Sequence, residues 1–272
     1  MTERAAFLDR IRAEMARARG IGGAAHAVLK TAEPVAVAAR PAHPREIAET
    51  LRRELAERWR ETLAKFRVEF ERVAGVYHRV ASMNDVPDVI GAIARERGGR
   101  RAIAWHPAAL GVDWGNALSA HGLTTVAMPA AGVESAAERQ ALRDLIAAAD
   151  LGVTGVDLAV AETGSLVLRS GSGRPRSTSL LPPYHVAVFD RHALVESLAQ
   201  VGVLLEAWHD VPSEARADAA EGRADPAEAW RGGVINFITG PSRTADIELT
   251  LTRGVHGPKE VHAIFVEGGF GG

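Results

Sequence analysis

The chain has 272 residues, of which 47% are hydrophobic and 24% charged, with 34 acids against 32 bases. That is enough apolar sequence to bury a substantial core, and the near-balance of charge gives no bulk reason to bind nucleic acid or a membrane surface. Cysteine is absent, which excludes a cysteine-ligated iron–sulfur cluster or zinc site, a disulfide framework and a thiol nucleophile.

The N-terminal "MTERAAFLDRIRAEMARARG" is charged and lacks the apolar region of a secretory signal, and no apolar run is long enough to span a bilayer. A cytoplasmic protein without membrane insertion is expected. Thr2 can cap a first helix on which Phe7, Ile11 and Met15 recur every four residues. A Gly/Ala/Pro-rich link, 20–43, follows. Pro44 suits the first turn of a helix, and Ile47, Leu51, Leu55, Trp59, Leu63, Phe66, Phe70 and Val73 then step by three or four residues, which predicts one amphipathic helix over 44–73. Its stripe packs on the body of the protein or on a partner helix. The expected organisation is a helical segment, 1–74, packing on an α/β domain, 75–266, with a flexible tail, 267–272.

From Val76 short β-like runs alternate with helices, the pattern of an α/β domain with a mostly parallel sheet. Strands are expected at 76–80, 101–105, 124–128, 151–155, 164–170, 185–190, 233–239, 246–252 and 260–266, with helices near 85–97, 135–149 and 191–205. Ser135 and Glu138 have the spacing of a capping box, and Asp190 is a good N-cap for the last of these helices. Strands outnumber helices after residue 150, so antiparallel members or a hairpin are expected there.

Open α/β sheets bind ligands where loops leave the carboxyl ends of strands. Four loops combine Gly or Pro with charge: 161–165, 171–177, 239–246 and 254–260. In "GSGRPRS" Gly171 and Gly173 allow close backbone approach, Arg174 and Arg176 offer forked donors, and Ser177 adds a hydroxyl. The loop reads either as an anion cradle or as a solvated hairpin, since it matches no nucleotide-binding fingerprint. Glu162 reads as a nucleophile or base, or as an acceptor fixing the tight turn Thr163-Gly164-Ser165. Arg243 clamps a carboxylate or pairs with Asp246 or Glu248. His256 and Lys259 flank a Gly-Pro turn and supply a titrating group and a fixed charge, or serve the turn alone. The histidines show no metal-ligand spacing.

Three blocks, "TGVDLAVAETGSLVL", "LLPPYHVAVFD" and "FITGPSRTADIELTLTRGVHGPKEVHAIFV", in this order and spacing, resemble the lactate-utilisation (LUD) domain family. The resemblance is dense over 151–266 and looser upstream. It implies a three-layer α/β/α Rossmann-like core similar to the NagB/RpiA/CoA transferase-like group. It also implies a bacterial subunit that works with iron–sulfur lactate-utilisation proteins to oxidise L-lactate to pyruvate, the clusters residing on those partners. The family's motif residues are present at Glu162, Thr163, Gly164, Ser165, Arg243, Thr244, Asp246, His256, Gly257 and Lys259, and the resemblance assigns none of them a catalytic role.

The reading preferred on these grounds has Arg243 and the 171–177 loop holding a small carboxylate such as lactate or pyruvate, or a cofactor phosphate, with His256 accepting the proton of the 2-hydroxyl. Two others stand beside it. One is a stand-alone acyl-CoA transferase-like enzyme with Glu162 as nucleophile; the other is a non-catalytic interaction or regulatory protein. Whether a flavin, a nucleotide or CoA is bound stays open at this level.

Overall fold

Helix α1, Pro44–Arg72, carries the longest apolar stripe in the described chain and sets the frame for the rest. Pro44 stands in its first turn, where a missing N–H costs no helical hydrogen bond. At 29 residues the helix is about 43 Å long. It buries Leu55, Trp59, Leu63, Phe66 and Phe70 along one side, as the spacing predicts. The computed structural model describes residues 43–133, 135–210, 234–245, 251–254 and 256–270. The helix expected from Thr2, the link 20–43 up to residue 42, Asp246 and part of the strand expected at 246–252 lie outside the described residues.

After α1 the chain forms β1 (Val76–Val80), α2 (Val86–Arg97), β2 (Arg101–Ala104), α3 (Pro107–Leu110), α4 (Gly115–Ser119), β3 (Thr124–Ala127), α5 (Ala136–Ala147) and β4 (Leu151–Gly155). It continues through β5 (Leu158–Val160), β6 (Ser165–Arg169), α6 (Ser177–Leu180), β7 (Tyr184–Phe189), β8 (Leu194–Val195) and α7 (Leu198–His209). The last strands are β9 (Ile235–Ile238), β10 (Arg243–Ala245), β11 (Leu251–Arg253) and β12 (Glu260–Val266).

Six strands form a parallel sheet in the order β1-β12-β7-β4-β2-β3. Its inner strands are nearly continuous apolar runs, and every residue of β4 is buried, as expected of a parallel sheet covered on both faces. Side chains alternate along β12. Phe265 stacks on Trp59 of α1 with ring centroids 5.6 Å apart, whereas Glu260, an odd number of residues away, pairs with Arg97 of α2 at 2.9 Å. The two helices therefore cover opposite faces, which makes the α/β/α layering. Phe66 meets Phe189 of β7 edge-on at 5.3 Å and extends the aromatic seam beneath α1.

Beside this sheet lies a second one in the order β8-β5-β6-β9, together with the β10–β11 hairpin ladder, so the expected antiparallel members are present. Two differences from the sequence reading have a common cause. The helix expected at 191–205 begins at Leu198 instead, because Leu194 and Val195 are taken up by pairing with Ala159 and Val160. Asp190 caps only a 3₁₀ turn, Arg191–Ala193, and the N-cap of α7 is Ser197, whose hydroxyl accepts the Gln200 N–H. Strand β5 was not foreseen, since three residues give too short a pattern. The Ser135–Glu138 capping box is complete in both directions. Residues 267–270 are held to the body: Glu267 pairs with Arg79, and the Phe270 amide donates to Asp190 at 3.1 Å.

Candidate functional site at the switch point of the sheet

Strand order reverses between β2 and β4, since β3 lies outside β2 and the chain returns to its other side for β4. In open α/β sheets this is where a crevice opens at the carboxyl ends. Trp105 and His106 leave β2 there, Asp157 follows β4, and the glycine loop 171–177 folds over both. The His106 amide donates to the Gly173 carbonyl at 2.8 Å, and the Trp105 indole donates to the Pro175 carbonyl at 3.4 Å. Reciprocal backbone bonds of 3.2 and 3.0 Å between Gly171 and Arg174 close the loop. Gly173 has φ +69°, and a Cβ on it would stand 2.7 Å from the Cβ of His106, so the close approach requires glycine.

Asp157 organises the charge. Its buried carboxylate accepts from the Arg169 amide at 2.7 Å and from Arg169 Nε at 2.9 Å, and it also binds the Arg174 guanidinium. Burial pushes the carboxyl up, but Arg174, by charge and hydrogen bond, and then Arg169 outweigh it and hold the group below its ordinary value. Arg174 lies over the Trp105 ring at 4.5 Å, and Arg169 over the Trp208 ring at 4.1 Å.

The donors left at this place outnumber the acceptors. Arg174 Nε is buried without a hydrogen-bond partner. Among the described residues the amides of Ser172 and Gly173 and the exposed guanidinium of Arg176 have none either. His106 Nδ1 accepts the Ala108 amide at 3.2 Å, so the neutral ring carries its proton on Nε2 and adds another donor. Such a set suits an anion and supplies no general base.

A second cluster gathers most of the other expected residues around the C-terminal end of α1. Gly164, at φ +61°, lets the turn 163–165 approach the helix so closely that a Cβ would stand 2.4 Å from the Phe70 nitrogen. Arg243 donates to the Val73 carbonyl at 3.0 Å, a fitting cation for the negative end of a helix. The hydroxyls of Thr163, Ser165 and Thr239 form a chain with links of 2.8 and 2.7 Å. His256 donates its amide to Ser242 at 3.3 Å, Gly257 packs beside Ser242, and the stem of Lys259 runs past Gly254. The side chains of His256 and Lys259 are exposed.

The two clusters stand at opposite ends of the β6–β9 ladder. Between Ser165 and Ser170 lie five residue steps, about 16 Å of strand. The expected joint clamp of Arg243 with the 171–177 loop is therefore divided between two places. Glu162 joins neither, because its Oε2 accepts the Leu198 amide at the start of α7 at 2.8 Å. Asp246 and the side chain of Thr244 lie outside what is described. Among the described residues no group of three or more His, Asp or Glu is arranged to hold a metal, and no helix is long and apolar enough to cross a membrane. Trp105, His106, Asp157 and Arg169 escaped the sequence reading. Their one signal, a position at the carboxyl end of β2 or beside it in space, needs the strand order to become visible.

Sheet order and loop together define an α/β protein of Rossmann-like layering with a cationic loop over its switch point. Residues 63–266 match the LUD domain, and the chain belongs to that family. It is 42% identical over 119 residues to Lactate utilization protein C of Halalkalibacterium halodurans, a match covering 44% of this chain and 45% of that protein. With the protein of the same name from Macrococcus caseolyticus it shares 29% identity over 190 residues, covering 68% and 69% of the two chains. The match thus spans less than half the length of the Halalkalibacterium relative. A crystal structure of a DUF162 family protein from Deinococcus radiodurans is similar at TM-score 0.42 and 22% identity, over 76% of this chain and 98% of that one.

Proposed function

We propose that this chain is a cysteine-free component of a lactate-utilisation system and that its switch-point loop binds the carboxylate of lactate or pyruvate. The observation that carries the binding site is the excess of donors around Arg174, which Asp157 and Trp105 hold rigidly in place. The substrate class rests on the relatives named Lactate utilization protein C. Oxidation of lactate to pyruvate releases two electrons and two protons. In this reading the electrons go to iron–sulfur clusters on partner proteins, since the chain has no cysteine to ligate a cluster itself. Its own residues orient the carboxylate, and the 2-hydroxyl proton is not assigned to His256, which stands at the other end of the ladder.

The test is calorimetric titration and thermal shift of the full chain with L-lactate, pyruvate, flavins, nicotinamide nucleotides and CoA esters. Lactate or pyruvate is expected to stabilise the native state, and Arg176→Ala, on the surface, is expected to weaken that effect at least tenfold. Carboxylate binding left unchanged by Arg176→Ala and Arg174→Met overturns the site. Stabilisation by CoA esters alone favours an acyl-transfer chemistry instead.

A further inference from the structure

Helix α7, "LAQVGVLLEAWH", is mostly apolar, with Gln200, Glu206 and His209 its polar residues, yet only Val201 and Leu204 are fully buried, while Leu205, Ala207 and Trp208 pack partly against the core. Its remaining apolar side chains, Leu198, Ala199 and Val203, face outward beside α1. Leu198 is 47% exposed, and Ile47 on the facing surface of α1 is 43% exposed. Between the two helices runs a groove of about 550 Å³. Ile47, Leu51, Ala199 and Val203 make its apolar floor, and Glu46 and Glu54 stand on its α1 side. No lysine or arginine lines it. Neither glutamate has an ion-pair partner among the described residues.

From this we infer that the α1–α7 groove docks an amphipathic helix of a partner protein, one whose apolar stripe is flanked by lysine or arginine. The floor accepts side chains at i, i+3 or i+4, and i+7, the spacing by which helices are read in grooves. Eight residues separate Glu46 from Glu54, about 12 Å along α1. The lip therefore matches basic residues about two turns apart on the incoming helix. Charge selects the partner's sign, and the apolar floor supplies the burial. This interface is independent of the anion site: its lining shares no residue with the glycine loop.

Two synthetic fourteen-residue helical peptides with the same leucine stripe, one flanked by lysine and arginine and the other by glutamate, serve as probes by fluorescence anisotropy against the full chain. The basic peptide is expected to bind at least tenfold more tightly than the acidic one, with an affinity that falls as salt rises. Glu46→Lys with Glu54→Lys is expected to remove that preference, and Ala199→Asp to abolish binding, both variants keeping the parent circular dichroism. Equal binding of the two peptides, or a preference untouched by the charge reversal, overturns the proposal. Sedimentation over a range of concentrations adds a second outcome: a dimer that Ala199→Asp dissociates makes a second copy the occupant and overturns it equally.

Discussion

His78 Nε2 on edge strand β1 lies 3.1 Å from His262 Nδ1 on β12, with the two rings stacked at 5.4 Å. His262 Nε2 in turn lies 3.1 Å from the Glu260 carboxylate, which Arg97 of α2 also binds. This order fixes the protons. With both rings neutral, as burial favours, the His262 Nε2–H donates to Glu260, its Nδ1 accepts, and the His78 Nε2–H fills that acceptor. Burial first, and then His78, lowers His262 to about 4 against the opposing pull of Glu260. Burial also lowers His78, with Glu96 opposing. On β7, His185 is pushed down to about 3 by complete burial and then by His262.

Each of these rings binds its proton more readily in the unfolded chain than in the folded one. Their contribution is complete above the ordinary histidine pKa near 6.5 and is lost as pH falls from there, through about 4 for His262 and about 3 for His185. Urea unfolding is therefore expected to show stability falling steeply between pH 6.5 and 4, by up to about 1.4 kcal/mol per pH unit for each ring. His262→Gln is expected to flatten the slope over that window. A variant with the parent slope refutes the assignment.

Asp157 offers a test of the switch point as architecture. Asp157→Asn leaves Arg169 and Arg174 facing a neutral group in a buried place, and removing one partner of a buried pair costs roughly 3–5 kcal/mol. Arg174→Met is expected to cost less, because Arg169 still serves the carboxylate through its amide and Nε. Urea midpoints of the two variants, compared at neutral pH, check the order. Equal losses mean that Arg174 alone carries the network.

What was legible in the sequence follows from the range of the forces involved. The stripe from Ile47 to Val73 fixed α1, and the Ser135–Glu138 spacing fixed the cap of α5, because both rest on contacts within a turn or two. The layered α/β core was legible from alternating runs and from the family resemblance. The start of α7 was not, since the pairing of Leu194 and Val195 with β5 decides it, and that partner lies more than thirty residues away. The candidate site divides along the same line. Gly171, Gly173 and Arg174 stood out through local chemistry. The acid that binds Arg174, the tryptophan beneath it and the distance to Arg243 depend on strand order, which no local pattern carries.

Glu162 separates a structural role from a chemical one. Its carboxylate accepts the first amide of α7, one of the donors that a helix N-terminus leaves unsatisfied. Glu162→Gln keeps an acceptor oxygen and is expected to leave stability nearly unchanged, whereas Glu162→Ala is expected to cost about 1 kcal/mol, as the loss of a cap does. Lactate oxidation in a system reconstituted with partner proteins is expected to proceed with Glu162→Gln as with the parent. Complete loss of turnover in this variant, with stability intact, would restore the carboxylate as a nucleophile.

Two glycines with nearly the same backbone distinguish strain from collision at the second cluster. Gly98 has φ +67°, and a Cβ added there would meet nothing within 4 Å, while Gly164 has φ +61° and a Cβ added there would stand 2.4 Å from the Phe70 nitrogen. Alanine at either site incurs the left-handed penalty of roughly 1–2 kcal/mol. Only at Gly164 does it also press on the backbone of α1, which must shift and carry with it the turn that positions Thr163 and Ser165. Gly98→Ala is accordingly expected to lose about the strain alone, and Gly164→Ala to lose well over twice as much, measured by thermal and urea unfolding. A Gly164→Ala protein as stable as Gly98→Ala would show that the turn 163–165 can move away from α1, and that its hydroxyl chain does not depend on the helix end.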